Sequence, residues 1–358
     1  MNLPPQTMGK ALLFDGPGLP LRLVEQPFPA PLEGEVVVRV EAATLCGSDL
    51  HTINGKRKVE TPTVLGHETI GRIEAIGPGP IPRLQDGTLA AIGDRITWAV
   101  VANCGGCRYC DSDLPQKCEK AIKYGHEPLI GRRMWTGGLA TWNLLAPGTT
   151  LVKLPESLPA SLATPSSCAT ATVMAGFEAL GPIDNKNLLI TGAGMLGLTA
   201  IARARALRPA SITVVDPLCW RRDQAFVMGC STALTPVEFN NHTQPVDAWL
   251  ELSGSNVSWE SCFPRLAIGA KVALIGAVFP TQDTVFNLER VVRRMITIRG
   301  IHNYGPRHLA SAVEFLTGLP ADHPLGQLAG PWFTLDQHET ALRVAGDPAV
   351  LRVGFMFR

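Results

Sequence analysis

Almost no net charge is left over in this sequence: 32 Lys and Arg stand against 31 Asp and Glu, a balance of +1 at neutral pH. That gives no electrostatic basis for nucleic acid or an anionic membrane surface as the main partner. Uninterrupted apolar runs are also missing, since Gly, Pro or a charged residue breaks every candidate short of a membrane span. The opening MNLPPQTMGKALLFDG lacks a basic segment followed by an unbroken apolar core, so it does not read as a secretory leader. Internal repeats and low-complexity tracts are absent too. What remains is a globular, cytoplasmic chain of 358 residues, too long for one hydrophobic core and expected to form two domains.

Glycine and proline are plentiful, at 35 and 29, which points to many tight turns rather than long helices. Up to about residue 155 the text runs in short β-segments: LRLVEQP, EVVVRVEAAT, TIGRIEAIG, DRITWAVVA and LVKLP. These suggest an irregular β-barrel-like domain. ASLATPSSCATATVMAGFEAL then predicts a longer helix, stopped at Gly181-Pro182. NLLITGAGMLG follows as a buried strand feeding a glycine turn, LTAIARARAL as a helix, SITVVD as a strand and RRDQAFVMGC as a helix. VDAWLELSG, KVALIGAV and ITIRGI read as further strands. Strands alternating with helices mean an α/β domain, a parallel sheet covered on both faces. The division expected is residues 170–302 for this domain and 1–169 with 303–358 for the β-rich one, the terminal LRVGFMF closing back onto the latter.

Gly192-Ala193-Gly194-Met195-Leu196-Gly197 lies directly after the strand LLIT and directly before a helix. Asp216 ends the second strand, close to the roughly 20-residue interval of a dinucleotide fold. Gly192 would permit the turn, Gly194 the close approach of pyrophosphate, and Gly197 helix–strand packing. The helix N-terminus after the turn offers donors and a positive dipole end to phosphates, with Met195 and Leu196 of the turn also expected against the cofactor. Asp216 would hold the adenosine ribose hydroxyls and repel a 2′-phosphate, favouring NAD. Arg221 and Arg222 pull the other way, because arginine there can accommodate that phosphate.

Nine cysteines in a cytosolic chain point to metal ligands before disulfides. Cys104-x2-Cys107-x2-Cys110-x7-Cys118 can wrap one tetrahedral ion, Gly105 and Gly106 giving the loop its freedom. Four thiolates leave no position for substrate, so the site would be structural. An iron–sulfur cluster would have a shorter last gap and a Pro after the final Cys, where this chain has Glu119. A dispersed set, Cys46, His67 and Cys168, amounts to one His and two Cys, the ligands of a catalytic zinc with an open fourth position. Zinc there could bind an alcohol oxygen and lower its pKa, after which hydride can leave for a nicotinamide. Cys219, Cys230 and Cys262 are scattered and read as core packing.

In these runs the sequence resembles the zinc-containing medium-chain alcohol dehydrogenases over essentially its whole length: Cys46-Gly47-Ser48-Asp49, Gly66-His67-Glu68, the four-cysteine lobe, the glycine turn and Asp216, in family order. The resemblance implies a Rossmann dinucleotide-binding domain plus a GroES-like catalytic domain, NAD, and two zinc ions per subunit, one catalytic and one structural. By the same resemblance Cys46, His67 and Cys168 are the catalytic ligands and Glu68 is the acidic residue behind the metal. Ser48 takes the substrate proton, and His51 ends the relay that passes it through the nicotinamide ribose to solvent. Thr172 faces the nicotinamide and Arg352 reaches the pyrophosphate. In branches sharing Cys-Gly-Ser-Asp the third ligand is often a Glu in a Glu-Pro pair. Thr164-Pro165-Ser166-Ser167-Cys168 has no such Glu, and Glu178 is the nearest acidic alternative.

A narrower resemblance, carried by Ala43–Thr52, Leu114–Cys118, Lys123-Tyr124-Gly125-His126-Glu127 and Cys168–Met174, is to the phosphonate-catabolism-associated alcohol dehydrogenases. It implies a hydroxyalkyl phosphonate substrate. Lys56, Arg57, Lys58, Lys123, Arg132 and Arg133 could form an anion pocket, and equally a solvated surface. A simple alcohol or polyol dehydrogenase stays open, as do two rivals. A zinc-independent quinone or enone reductase would lack both ligand sets, and a non-catalytic NAD-binding regulator would not need Ser48 and His51. The family resemblance also implies a homodimer or homotetramer joined through the dinucleotide domain, by an edge strand such as KVALIGAV or ITIRGI.

Overall fold

The computed structural model describes residues 7–357 apart from Phe279, Thr281 and Phe286. The chain divides into two compact units, Met1–Ala171 with Gly305–Arg358, and Thr172–Tyr304.

Thr172–Tyr304 is built on a six-stranded sheet in which every pairing is parallel. Across the sheet the strands run Thr232–Leu234, Ser211–Val215, Asn187–Thr191, Val246–Glu251, Leu266–Leu274 and Thr297–Gly300. Numbered along the chain, that order is 3-2-1-4-5-6, the doubly wound arrangement whose ligands bind where the order reverses. The central strands are apolar on both faces: Leu188, Leu189, Ile190, Trp249 and Leu250 are all buried, as a sheet covered by helices on both sides requires. KVALIGAV is not an edge. Leu266–Leu274 is paired on both sides, and Val272 and Ala273, pointing to opposite faces, are both buried, as in a strand inside a covered sheet. The edges are Thr232–Leu234 and Thr297–Gly300.

The β-rich unit holds two sheets. Met8–Phe14 pairs antiparallel with Arg22–Pro27 and with Thr63–Val64. The larger, eight-stranded sheet has Val36–Thr44 and Glu68–Ile76 at its centre. Arg352–Met356 adds antiparallel to Val36–Thr44, so the terminal segment does close onto this unit. Among the described residues the two sheets stay open and do not close into a barrel.

The single helix expected from residue 160 is broken. Ala160–Ala163 is a helical turn, Thr164–Ser167 a 3-10 turn, and only Ala169–Leu180 runs as a full helix. Pro165 lacks the N–H that would continue the first segment. Cys168 sits at the break with φ −133 and ψ −79, which frees its thiol from the helix surface. No helix among the described residues is long and apolar enough to cross a membrane.

Candidate active site and metal centres

Two neighbouring strands and the helix break bring the dispersed ligands together. Val36–Thr44 ends just before Cys46, and Glu68–Ile76 starts just after His67; Thr44 is opposite Glu68 in their register. Cys46 and His67 are therefore carried at the same end of one strand pair, and Cys168 arrives from the break. The ligand atoms of the three lie within 4.8 Å of one another, with 3.9 Å between the two sulfurs. A tetrahedral ion with zinc–sulfur bonds of about 2.3 Å needs sulfurs about 3.8 Å apart, so the donor set fits zinc. Three protein ligands leave a fourth position open for an oxygen.

The orientation of His67 is set by Asp49, which the sequence displays but whose role it does not announce. Asp49 is buried. Its Oδ1 lies 3.3 Å from His67 Nδ1, and its Oδ2 accepts from the Cys46 backbone N–H at 2.9 Å. A carboxylate on one imidazole nitrogen leaves the other, Nε2, as the ligand atom. The Ser167 hydroxyl donates to the His67 carbonyl at 3.0 Å, fixing the backbone as well. Ser48 Oγ stands 3.5 Å from His67 Nε2, beside the ligand atom.

Glu68 and Arg352 lie behind the ligands. Arg352 Nε donates to Glu68 Oε2 at 2.8 Å and its Nη2 to Oε1 at 3.0 Å, while Thr44 Oγ1 donates to Oε2 at 2.7 Å. Both charged side chains are buried. Arg352 Nη2 also sits 3.5 Å from Cys46 Sγ. The Cys46 thiol is held well below its ordinary range by the hydrogen bond from Cys168, with the Arg352 charge adding to it, against burial. The guanidinium that the resemblance sends to a pyrophosphate is thus directed at Glu68 and Cys46. Removing one member of a buried ion pair strands the other, at a cost of about 3–5 kcal/mol. Arg352→Met is expected to lower unfolding stability by about that much in a denaturant titration, and an unchanged midpoint would contradict the arrangement.

His51 is half-buried in the helix Gly47–Ile53. Burial, then the charges of Lys56 and Arg57, push its imidazole below the usual histidine range, which favours the uncharged form.

The four-cysteine lobe brings its ligand atoms within 4.8 Å as well. Cys107 Sγ lies 3.6 Å from Cys110 Sγ and 3.9 Å from Cys118 Sγ, again the edges of a zinc tetrahedron. Backbone N–H groups of Cys104 and Lys120 donate to Cys118 Sγ at 3.2 and 3.3 Å, stabilising a thiolate. Four sulfurs close the site, so it can hold structure but not turn over a substrate.

In the dinucleotide unit Gly192 has φ +89, a conformation that favours glycine. Gly194 caps the helix Met195–Ala206, and a Cβ there would meet open space. A cavity of about 330 Å³ adjoins this turn, lined by Gly192, Gly194, Asp216, Arg221 and Ser253 among others. Asp216 Oδ2 accepts from the Ala193 N–H at 2.8 Å, tying the turn to the second strand. Arg221 Nη1 is 3.8 Å from that carboxylate, and Arg222 donates to the carbonyls of Asp216 and Pro217. Thr172 is half-buried at the start of Ala169–Leu180. Cys230 and Cys262 are buried and Cys219 exposed, and none joins either ligand group.

A doubly wound nucleotide-binding unit, an open metal site of two Cys and one His, and a closed site of four Cys together define a metal-dependent oxidoreductase. Residues 32–156 match the Alcohol dehydrogenase GroES-like domain, and residues 196–318 match Zinc-binding dehydrogenase. L-threonine 3-dehydrogenase of Pyrococcus horikoshii is 30% identical over 314 residues, covering 84% of this chain and 83% of that protein. An alcohol dehydrogenase of Thermotoga maritima has the same fold, with TM-score 0.90 at 24% identity over 98% of this chain and 99% of that one. Benzyl alcohol dehydrogenase of Acinetobacter calcoaceticus matches with TM-score 0.85 at 23% identity over 98% and 100%. The chain belongs to the zinc-containing medium-chain alcohol dehydrogenase family. It is a zinc-dependent dehydrogenase acting on CH–OH groups of small molecules.

Proposed function

We propose that the enzyme oxidises the hydroxyl of a small alcohol carrying an anionic group, a hydroxyalkyl phosphonate, to the aldehyde or ketone with NAD. The observation that carries the oxidation is the open Cys46–His67–Cys168 set with the Ser48 hydroxyl 3.5 Å from the ligand nitrogen. Zinc held there supplies the Lewis acidity that brings an alcohol's pKa toward neutrality, and NAD supplies the hydride acceptor. Ser48 takes the proton from the substrate hydroxyl. His51 passes it on to solvent. Asp49 fixes the imidazole so that the ligand nitrogen does not rotate away. Asp216 favours NAD, because a 2′-phosphate would meet its carboxylate. The anionic substrate is supported by the narrower sequence resemblance and by the cationic turn after His51. L-threonine, in the name of the Pyrococcus relative, likewise joins a hydroxyl to an anionic group. A homodimer or homotetramer through the dinucleotide unit is consistent with the edge strand Thr297–Gly300, next to exposed Val292 and Met295.

The test is NADH formation by the zinc-loaded enzyme, followed by absorbance, over primary alcohols, polyols, L-threonine and hydroxyalkyl phosphonates, each with NAD and NADP. Fastest turnover is expected with the phosphonates and NAD. Preference for uncharged alcohols would overturn the substrate but leave the oxidation standing. Silence across the whole panel would count against the assignment of Ser48 and His51.

A further inference from the structure

The stretch after His51 and the loop before Trp135 are the most cationic runs picked out in the sequence of the β-rich unit, and the structure sorts them. Arg132 is paired with Glu35 at 2.6 Å and also donates to the Ala30 carbonyl. Arg133 is paired with Glu127. Lys56 and Lys58 are exposed. Arg57 is different: it is half-buried, and among the described residues no carboxylate pairs with it.

The Arg57 side chain is nonetheless held in place. The backbone N–H groups of Lys56 and Arg57 both donate to the His51 carbonyl, at 2.8 and 3.1 Å, folding the turn back on the helix. Arg57 Nη1 lies 2.7 Å from His126 Nε2. His126 Nδ1 lies 2.9 Å from the Tyr124 carbonyl, which can only accept, so Nδ1 carries the hydrogen. Nε2 then offers its lone pair to the guanidinium, and His126 is the neutral tautomer. Its ring stands 5.3 Å, centroid to centroid, from the ring of the metal ligand His67. A guanidinium has five N–H donors, and a neutral imidazole takes one without cancelling its charge.

The metal centre beside it would carry little charge of its own, since two thiolates balance a zinc dication. An acidic substrate therefore needs a separate cation, one imidazole away from His67, to hold its second group while the hydroxyl is oxidised. We propose that Arg57, oriented by His126, binds the anionic group of the substrate and sets a preference for acidic over neutral alcohols. The substrates it fits bear a phosphonate or carboxylate a few bonds from the hydroxyl, groups a guanidinium engages in bidentate fashion. This deepens the function proposed above and rests on its reading of the site as an alcohol-oxidising centre.

The experiment compares the zinc-loaded wild type with Arg57→Ala, Arg57→Lys and His126→Ala. Zinc content and unfolding midpoint are recorded for each, and Arg57→Gln replaces the alanine variant if that one fails to fold. The first readout is calorimetric binding of ethylphosphonate, which has no hydroxyl to oxidise, to enzyme saturated with NAD. The second is KM and kcat for 2-hydroxyethylphosphonate, 3-hydroxybutyrate and 1-propanol. Arg57→Ala is expected to weaken ethylphosphonate binding about tenfold to a hundredfold, the range for charged hydrogen bonds. The ratio of kcat/KM for acidic over neutral substrate should fall by a similar factor, mostly through KM. Arg57→Lys restores part of the loss as a point charge, and His126→Ala, which frees the guanidinium without removing it, loses less. Comparing the phosphonate with the hydroxy acid shows which anion is preferred. Unchanged ethylphosphonate binding in Arg57→Ala, or equal losses on 1-propanol and the acidic substrates, overturns the proposal. Wild type that oxidises 3-hydroxybutyrate but not the phosphonate, and loses that activity in Arg57→Ala, keeps this inference and removes the phosphonate substrate. Phosphonate oxidation that is equally fast in wild type and Arg57→Ala does the reverse.

Discussion

Replacing Cys46 by alanine is expected to take the chain from about two zinc ions to about one and to cut turnover about a thousandfold or more, since metal-ion catalysis supplies several kcal/mol and each 1.4 kcal/mol is tenfold. Removing one sulfur leaves His67 and Cys168 to hold the metal, too few for a stable protein site. Arg352 Nη2, 3.5 Å from the Cys46 sulfur, then loses that partner and keeps only its pairing with Glu68. The second ion stays, because the Cys104, Cys107, Cys110 and Cys118 ligands form their own group. Metal analysis of purified protein beside steady-state rates checks both halves. A variant that kept both ions and full turnover would show that the open site is not where the chemistry occurs.

Gly197→Ala should cost the enzyme its cofactor rather than its metals. A Cβ at position 197 would lie 2.0 Å from the Gly192 carbonyl oxygen, an atom of backbone with little room to retreat. The helix Met195–Ala206 must then move off the strand Asn187–Thr191, and the N–H groups at its N-terminus move with it. Overpacking of this kind costs about 1–3 kcal/mol, which is about a tenfold to hundredfold loss in NADH affinity. Fluorescence titration with NADH measures it, with zinc content as the control. Wild-type affinity would mean that the helix can shift without disturbing the cofactor's contacts.

Legibility in the sequence followed the distance over which each feature is built. The four-cysteine lobe and the glycine turn are local, so spacing alone displays them: one lies in a single loop, the other at one strand–helix junction. Cys46, His67 and Cys168 could be assembled only as a set, since 122 residues separate the two cysteines. Asp49 was in plain view beside Cys46, but nothing in a sequence says that its carboxylate turns inward to His67. The partnership of Arg352 with Glu68 depends on which strand pairs with Val36–Thr44, and sheet order is not chain order. That same gap made KVALIGAV look like an edge when it lies inside the sheet. Among the cationic residues, composition could not separate Arg57 from Arg132 and Arg133; only their carboxylate partners do. The break in the helix is hard to read because Thr164–Ser167 carries neither glycine nor charge to mark a boundary, and Pro165 is also accepted in the first turn of a helix.

The unequal reach of the two metal sites also has a bearing on how the chain is made. The ligands of the four-cysteine lobe emerge from a ribosome almost together, and that loop can capture an ion while most of the chain is still unsynthesised. The open site needs Cys168 and, for its buried charge balance, Arg352, which follows Glu68 by 284 residues. At elongation rates of about 5–20 residues per second, the interval is on the order of tens of seconds. Metallation is thereby expected in stages: the four-cysteine lobe can close on its ion well before the strand that carries Arg352 has been made.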